Sequence, residues 1–167
     1  MSLDRIESGE WVGIDTNILI YANQRKSDEC VDFLRRCVIR DVRGIVPMPM
    51  VAEMIHTLML IEARENGWLR KSNPARALGE RPDLVRKLAR SEIQVREFLN
   101  LGLRLEPVFP ADVLEAVRVQ RESGLLTNDS LLLAVLRRLN VRILVTADTA
   151  FRDIPGFALF APDDIQD

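Results

Sequence analysis

Five short apolar runs, Trp11–Ile14, Ile45–Pro47, Leu103–Val108, Val141–Val145 and Phe157–Phe160, alternate with stretches whose apolar residues recur at helical spacing. Strands joined through helices run parallel to one another, which places helices on the sheet's two faces. The alternation therefore predicts a three-layer α/β/α sandwich around a mostly parallel central sheet of four to five strands. A chain of 167 residues is long enough for one such domain with a sizeable core and too short for two, so 1–167 is read as a single domain.

Between the strands, Ser27 opens a helix whose apolar face is Val31, Leu34, Val38 and Ile39, closed by Gly44. Pro49 suits the first turn of the next helix, whose Val51, Ile55, Leu58, Met59 and Ile61 lead to a stop at Gly67. Trp68–Glu80, punctuated by Pro74 and Gly79, reads as a loop or short helical piece. Asp83–Leu101 reads as one long amphipathic helix burying Leu84, Leu88, Ile93 and Phe98, so that about 68–101 forms an extended helical segment. Pro110–Gly124 and the apolar run Leu131–Leu139 supply the last two helices.

Hydrophobic residues make up 47% and charged residues 29% of the chain, a balance that excludes disorder. The apolar runs are too short to span a bilayer, and Met1–Glu7 lacks a cationic start followed by an apolar stretch, so a cytoplasmic protein is expected. Cys30 and Cys37 lie two helical turns apart, too far to bond each other, and read as reduced core or boundary residues. A net charge of −2 does not mark a protein that grips nucleic acid by overall positive charge. Between Arg64 and Arg96, nine basic residues (Arg64, Arg70, Lys71, Arg76, Arg81, Arg86, Lys87, Arg90, Arg96) face four acidic ones. Such a segment is a solvated helical face or a surface for RNA phosphates.

Four carboxylates stand out by position. Asp15 follows the first strand and precedes the helical spacing of Ile18–Tyr21, and Asp148 follows the strand Val141–Val145. Both belong at the carboxyl edge of a parallel sheet, where open α/β folds keep their sites. Each also has a plain structural role open to it, Asp15 as a helix cap, Asp129 in a helix's first turn and Asp148 in a turn. Glu53 is harder to assign so, because Val51, Ala52, Met54 and Ile55 surround it and an unpaired inward carboxylate is costly. Glu53 and His56 share the Glu-x-x-His spacing of helical di-iron sites, but the chain has one histidine and that architecture needs a second pair. Met48, Met50, Met54 and Met59 read as core filling, and Asp163, Asp164 and Asp167 as a solvated tail.

Taken together, Ile14-Asp15-Thr16-Asn17, Glu53 in the helix after strand two, Asn128-Asp129 opening a helix and Val145-Thr146-Ala147-Asp148 resemble the acidic quartet of PIN domains. The resemblance runs from Val12 to about Phe160, with Trp68–Arg96 longer than compact members need. It implies a PIN-like fold and a metal-dependent endoribonuclease, with relatives among the toxins of toxin-antitoxin pairs. By the same resemblance Asp15, Asp129 and Asp148 are direct ligands of Mg2+ or Mn2+, and Glu53 binds or orients metal-bound water. Asn17 and Thr146 position substrate or carboxylates, a cognate antitoxin binds the chain, and two copies form a homodimer. A non-catalytic PIN-fold module that binds RNA or protein is the alternative. Clustered carboxylates suit hard divalent ions, and metal-assisted hydrolysis needs no side-chain nucleophile, in keeping with a chain that shows no nucleophile-base pair.

Overall fold

The computed structural model describes residues 1–69 and 73–165. A tight turn at Leu3–Arg5 precedes β1 (Trp11–Ile14), α1 (Thr16–Asn23), α2 (Asp28–Val38), β2 (Arg43–Pro47) and α3 (Met48–Glu65). Three shorter helices follow, α4 (Pro74–Gly79), α5 (Pro82–Val85) and α6 (Arg90–Leu99). The chain continues with β3 (Arg104–Glu106), α7 (Pro110–Ser123), α8 (Thr127–Arg138), β4 (Ile143–Val145) and β5 (Ala158–Phe160). All five strands are parallel, in the order β3-β2-β1-β4-β5.

That order puts β1 and β4 side by side at the point where the chain, having built outward through β2 and β3, returns to build the other half. Connections leaving two such strands diverge and open a crevice at their carboxyl ends. The crevice lies between Ile14 and Val145, which are paired in register, and Asp15 N–H extends the ladder by donating to Val145 O at 3.0 Å.

Two glycines set the approach of the helical layers. A Cβ at Gly13 would meet Leu136 Cδ1 of α8 at 2.3 Å, whereas a Cβ at Gly44 would meet Ile14 and Leu103 and approach Cys37 of α2. α8 and its partner α7 thus press on one face of the sheet and α2 lies on the other, completing the three-layer α/β/α sandwich. Fully buried Val12, Ile14, Ile18, Val46, Met50, Leu132, Leu133 and Leu144 form the core between these layers.

The helix expected over Asp83–Leu101 is instead two, α5 and α6, separated by a turn. The cause is Glu62, buried on α3, whose carboxylate accepts the backbone N–H groups of Ala89, Arg90 and Ser91 at 2.9, 3.1 and 2.7 Å. Burial alone would raise its pKa, but these donors hold the Glu62 carboxyl below its usual range. A carboxylate that takes up free amides is a helix cap, and it starts α6 at Arg90. The new phase exposes Ile93, which sequence periodicity had inside, while Phe98 stays buried. Val38 and Ile39, at the end of α2, are likewise exposed rather than part of its apolar face.

Four of the basic residues of 64–96 are drawn into ion pairs, Arg76 with Glu80, Arg81 with Asp83, Arg90 with Glu65 and Arg96 with Glu92. Arg70 and Lys71 lie outside the described residues, as does Asp167. Asp164 is not a free tail residue, since it accepts Ser27 Oγ and Glu29 N–H and so pins the chain to the start of α2. His56 is exposed, and Cys30 and Cys37 are separate buried thiols. Among the described residues no helix is long and apolar enough to cross a membrane.

Candidate active site

Asp15 stands between β1 and α1 and is buried. Its Oδ1 accepts Thr16 N–H at 2.6 Å, and its Oδ2 accepts both Asn17 Nδ2 and Thr146 Oγ1 at 2.6 Å. Asn17 Oδ1 in turn accepts Ala147 N–H at 3.1 Å, and Thr146 Oγ1 accepts Asp148 N–H at 3.0 Å. The end of β1 and the end of β4 are therefore stitched together by the side chains of Asp15, Asn17 and Thr146. Asp15 caps α1 as well, so its structural and site roles coexist.

Glu53 is half-buried in the second turn of α3, and its Oε2 accepts Asn128 Nδ2 at 2.8 Å. Asn128 and half-buried Asp129 lie in the first turn of α8, which begins at Thr127, four residues before the apolar run that signalled it. Asp148 is exposed beyond β4, where its Oδ1 caps a single helical turn by accepting Ala150 N–H. Asn128 is the residue whose role the sequence did not signal. Its partner Glu53 is 75 positions away, and only the packing of α3 against α8 joins them.

The four acids share an electrostatic field. Burial pushes the Asp15 carboxyl up to about 6, against the hydrogen bonds from Thr146 and Thr16, and the charges of Asp129 and Glu53 push the same way. Asp129 is raised by burial, then by Asp148 and Glu53. No arginine or lysine answers any of the four among the described residues. Elsewhere two buried acids, Glu106 and Asp112, are neutralised by arginine, while buried Glu62 is held by backbone N–H groups. Arg138 pairs with Glu106 at 2.9 Å and Asp112 at 2.7 Å, and Arg104 joins Glu106 at 2.8 Å.

Among the described residues, no three His, Cys, Asp or Glu side chains converge closely enough to form a ready ion-holding group. The donor chemistry nonetheless fits a hard divalent cation. Carboxylates left unpaired beside one another repel, and bound positive charge relieves that cost.

A family model described as "PIN domain" matches residues 12–156, a span that includes Asp15, Asn17, Glu53, Asn128, Asp129, Thr146 and Asp148. No curated protein matches the chain. Solved structures similar to it include VapBC2 from Rickettsia felis bound to a DNA fragment from its promoter, at 18% identity and a TM-score of 0.58, covering 92% of this chain and 99% of that one. A toxin-antitoxin complex from Klebsiella pneumoniae matches at 17% identity and 0.57, covering 88% and 95%. DNA-bound VapBC from Salmonella typhimurium matches at 14% and 0.58, covering 91% and 98%. At these identities the likeness is one of fold.

Proposed function

The chain belongs to the PIN domain family, and from that premise we propose that it is a metal-dependent endoribonuclease, the toxin of a toxin-antitoxin pair. The observation that carries this reading is the contrast between two sets of acids. Glu106 and Asp112 are matched by Arg138, whereas Asp15, Glu53, Asp129 and Asp148 act on one another through their charge and have no basic partner among the described residues. A fold that neutralises one set and leaves the other charged at its functional edge has kept the second for a cation.

Asp15, Asp129 and Asp148 are the residues that would hold Mg2+ or Mn2+, with Glu53 binding or orienting the water that attacks. When bound, the ion supplies a lowered pKa for that water and offsets charge that builds on the phosphate. The chain's own residues do the rest. Thr146 and Asn17 orient the Asp15 carboxylate by donating to one of its oxygens. Asn128 fixes the Glu53 carboxylate, leaving its other oxygen to accept a proton or a water. The exposure of Asp148 and the partial exposure of Asp129 let a phosphodiester approach from solvent.

The toxin assignment draws on the likeness in fold to the Klebsiella pneumoniae toxin-antitoxin complex, and with it come a cognate antitoxin as partner, a homodimer and a cytoplasmic location. A non-catalytic RNA- or protein-binding module has no use for uncompensated acids at a crevice. Incubation of the pure protein with unstructured single-stranded RNA and with DNA of the same sequence, in Mn2+ and in EDTA, tests the reading. Cleavage of RNA alone, in Mn2+ alone, supports it, and intact RNA in Mn2+ refutes it.

A further inference from the structure

Trp11, Arg43 and Arg104 are the first residues of β1, β2 and β3, at the amino edge of the sheet opposite the acids. The guanidinium carbons of Arg43 and Arg104 lie 5.4 and 5.6 Å from the centre of the Trp11 ring, which remains partly exposed. With Arg40 they line a cavity of about 340 Å³ that has an apolar wall at Val42 and Leu103 and no carboxylate in its lining. Glu106 answers Arg104, but Arg40 and Arg43 form no ion pair among the described residues. A chain of net charge −2 has thus placed two unpaired arginines, Arg40 and Arg43, in the lining of one cavity, with Arg43 over its indole.

The backbone adds to this. Arg40 follows the end of α2 at φ 61°, the left-handed position that glycine usually fills after a helix. A side chain with a Cβ is disfavoured there, and the arginine that stands in its place lines the cavity.

We propose that this cavity binds a nucleoside phosphate, with the phosphate on Arg40 and Arg43 and the base against the exposed part of the Trp11 indole. Guanidinium forks match phosphate oxygens, and an aromatic face accepts any base. A free nucleotide and a nucleotide within single-stranded RNA present the same chemistry to it. The site lies at the opposite edge from the acids and is read by binding alone, so it stands or falls independently of nuclease activity.

The chain has two tryptophans, Trp11 and Trp68, so in the Trp68→Phe variant fluorescence reports Trp11 alone. In EDTA, the variant is titrated with AMP and, separately, with a short oligouridylate. Saturable quenching is expected, with affinity lowered about tenfold when Arg40→Gln and Arg43→Gln remove two charge-assisted contacts. Quenching by AMP identifies a mononucleotide site, and quenching by the oligomer alone identifies an RNA contact. Calorimetric titration of the unsubstituted chain gives the same readout without a change at Trp68. No saturable signal from either ligand, or affinity unchanged by the double substitution, overturns the proposal.

Discussion

Asn128 of α8 donates its side-chain amide to Glu53 Oε2 of α3 at 2.8 Å, joining two helices at the candidate site. Glu53 has no other side-chain partner among the described residues, so Asn128 sets where its carboxylate points. Asn128→Ala leaves that carboxylate free to rotate while removing only an exposed side chain. Mn2+ affinity measured by calorimetry should fall about tenfold, the scale of losing a group that orients a metal ligand. The thermal midpoint in EDTA should stay within about 2 °C of the parent, as for other exposed substitutions.

Asp15 makes metal-free stability depend on pH. Its carboxyl is raised from 3.8 to about 6, so the folded state binds the proton more tightly than the unfolded chain. The stabilising contribution is complete below the unfolded value near 3.8 and is lost as pH rises through about 6. Asp15→Asn removes the penalty carried by the charged form. The shift sets a ceiling of about 3 kcal/mol on the gain. Disturbed acceptance from Asn17 and Thr146 reduces this to about 1 kcal/mol. Urea unfolding in EDTA should show the variant more stable than the parent at pH 8, with the gain absent at pH 4.

Glu62 holds the segment that precedes β3 by accepting three backbone amides. Glu62→Ala strips those donors of their partner inside the protein, at a cost of about 2–4 kcal/mol. Amide hydrogen exchange should accelerate most at Ala89, Arg90 and Ser91, and least in β1 and β4.

Gly13→Ala sets a methyl group against Leu136 Cδ1 in a space that has none to give. α8 must shift or Leu136 must leave its rotamer, costing about 1–3 kcal/mol. Because α8 also carries Asp129, RNA cleavage should fall further than the loss of folded protein explains. Activity per folded molecule, taken beside a urea melt, checks this.

The sheet was readable because its central strands β1, β2 and β4 are buried over most of their length and so appear as short apolar runs, with Asp15 and Asp148 marking where two of them end. The acids of the crevice could be assembled from sequence only by their order and context, since each has a local use as a cap or turn residue, and Asp15 and Asp148 do serve so. Contacts made across the fold left no local trace. Glu62 breaks a periodic apolar pattern 27 residues downstream, which no window around Ala89 reveals. Arg138 neutralises Glu106 and Asp112 from another helix, so nothing near those acids separates them from Asp129. Of the pairs that draw on the positive charge of 64–96, Arg76–Glu80, Arg81–Asp83 and Arg96–Glu92 are local in sequence, and only Arg90–Glu65 is made across the fold.

We propose that Asp15, Glu53, Asp129 and Asp148 act as one divalent-metal site for RNA hydrolysis. Single-turnover cleavage of single-stranded RNA in Mn2+, by the parent and by Asp129→Asn, tests it most directly when circular dichroism and a thermal melt are taken on the same samples. Asp129 is only half-buried, and its carboxylate accepts from the backbone N–H of Leu126 ahead of α8; Asn keeps an acceptor oxygen for that N–H, so the substitution should leave the fold intact. Cleavage lost by at least about a hundredfold, with an unchanged melt in EDTA, is the predicted result. Cleavage by the folded variant at the parent's rate would contradict the account.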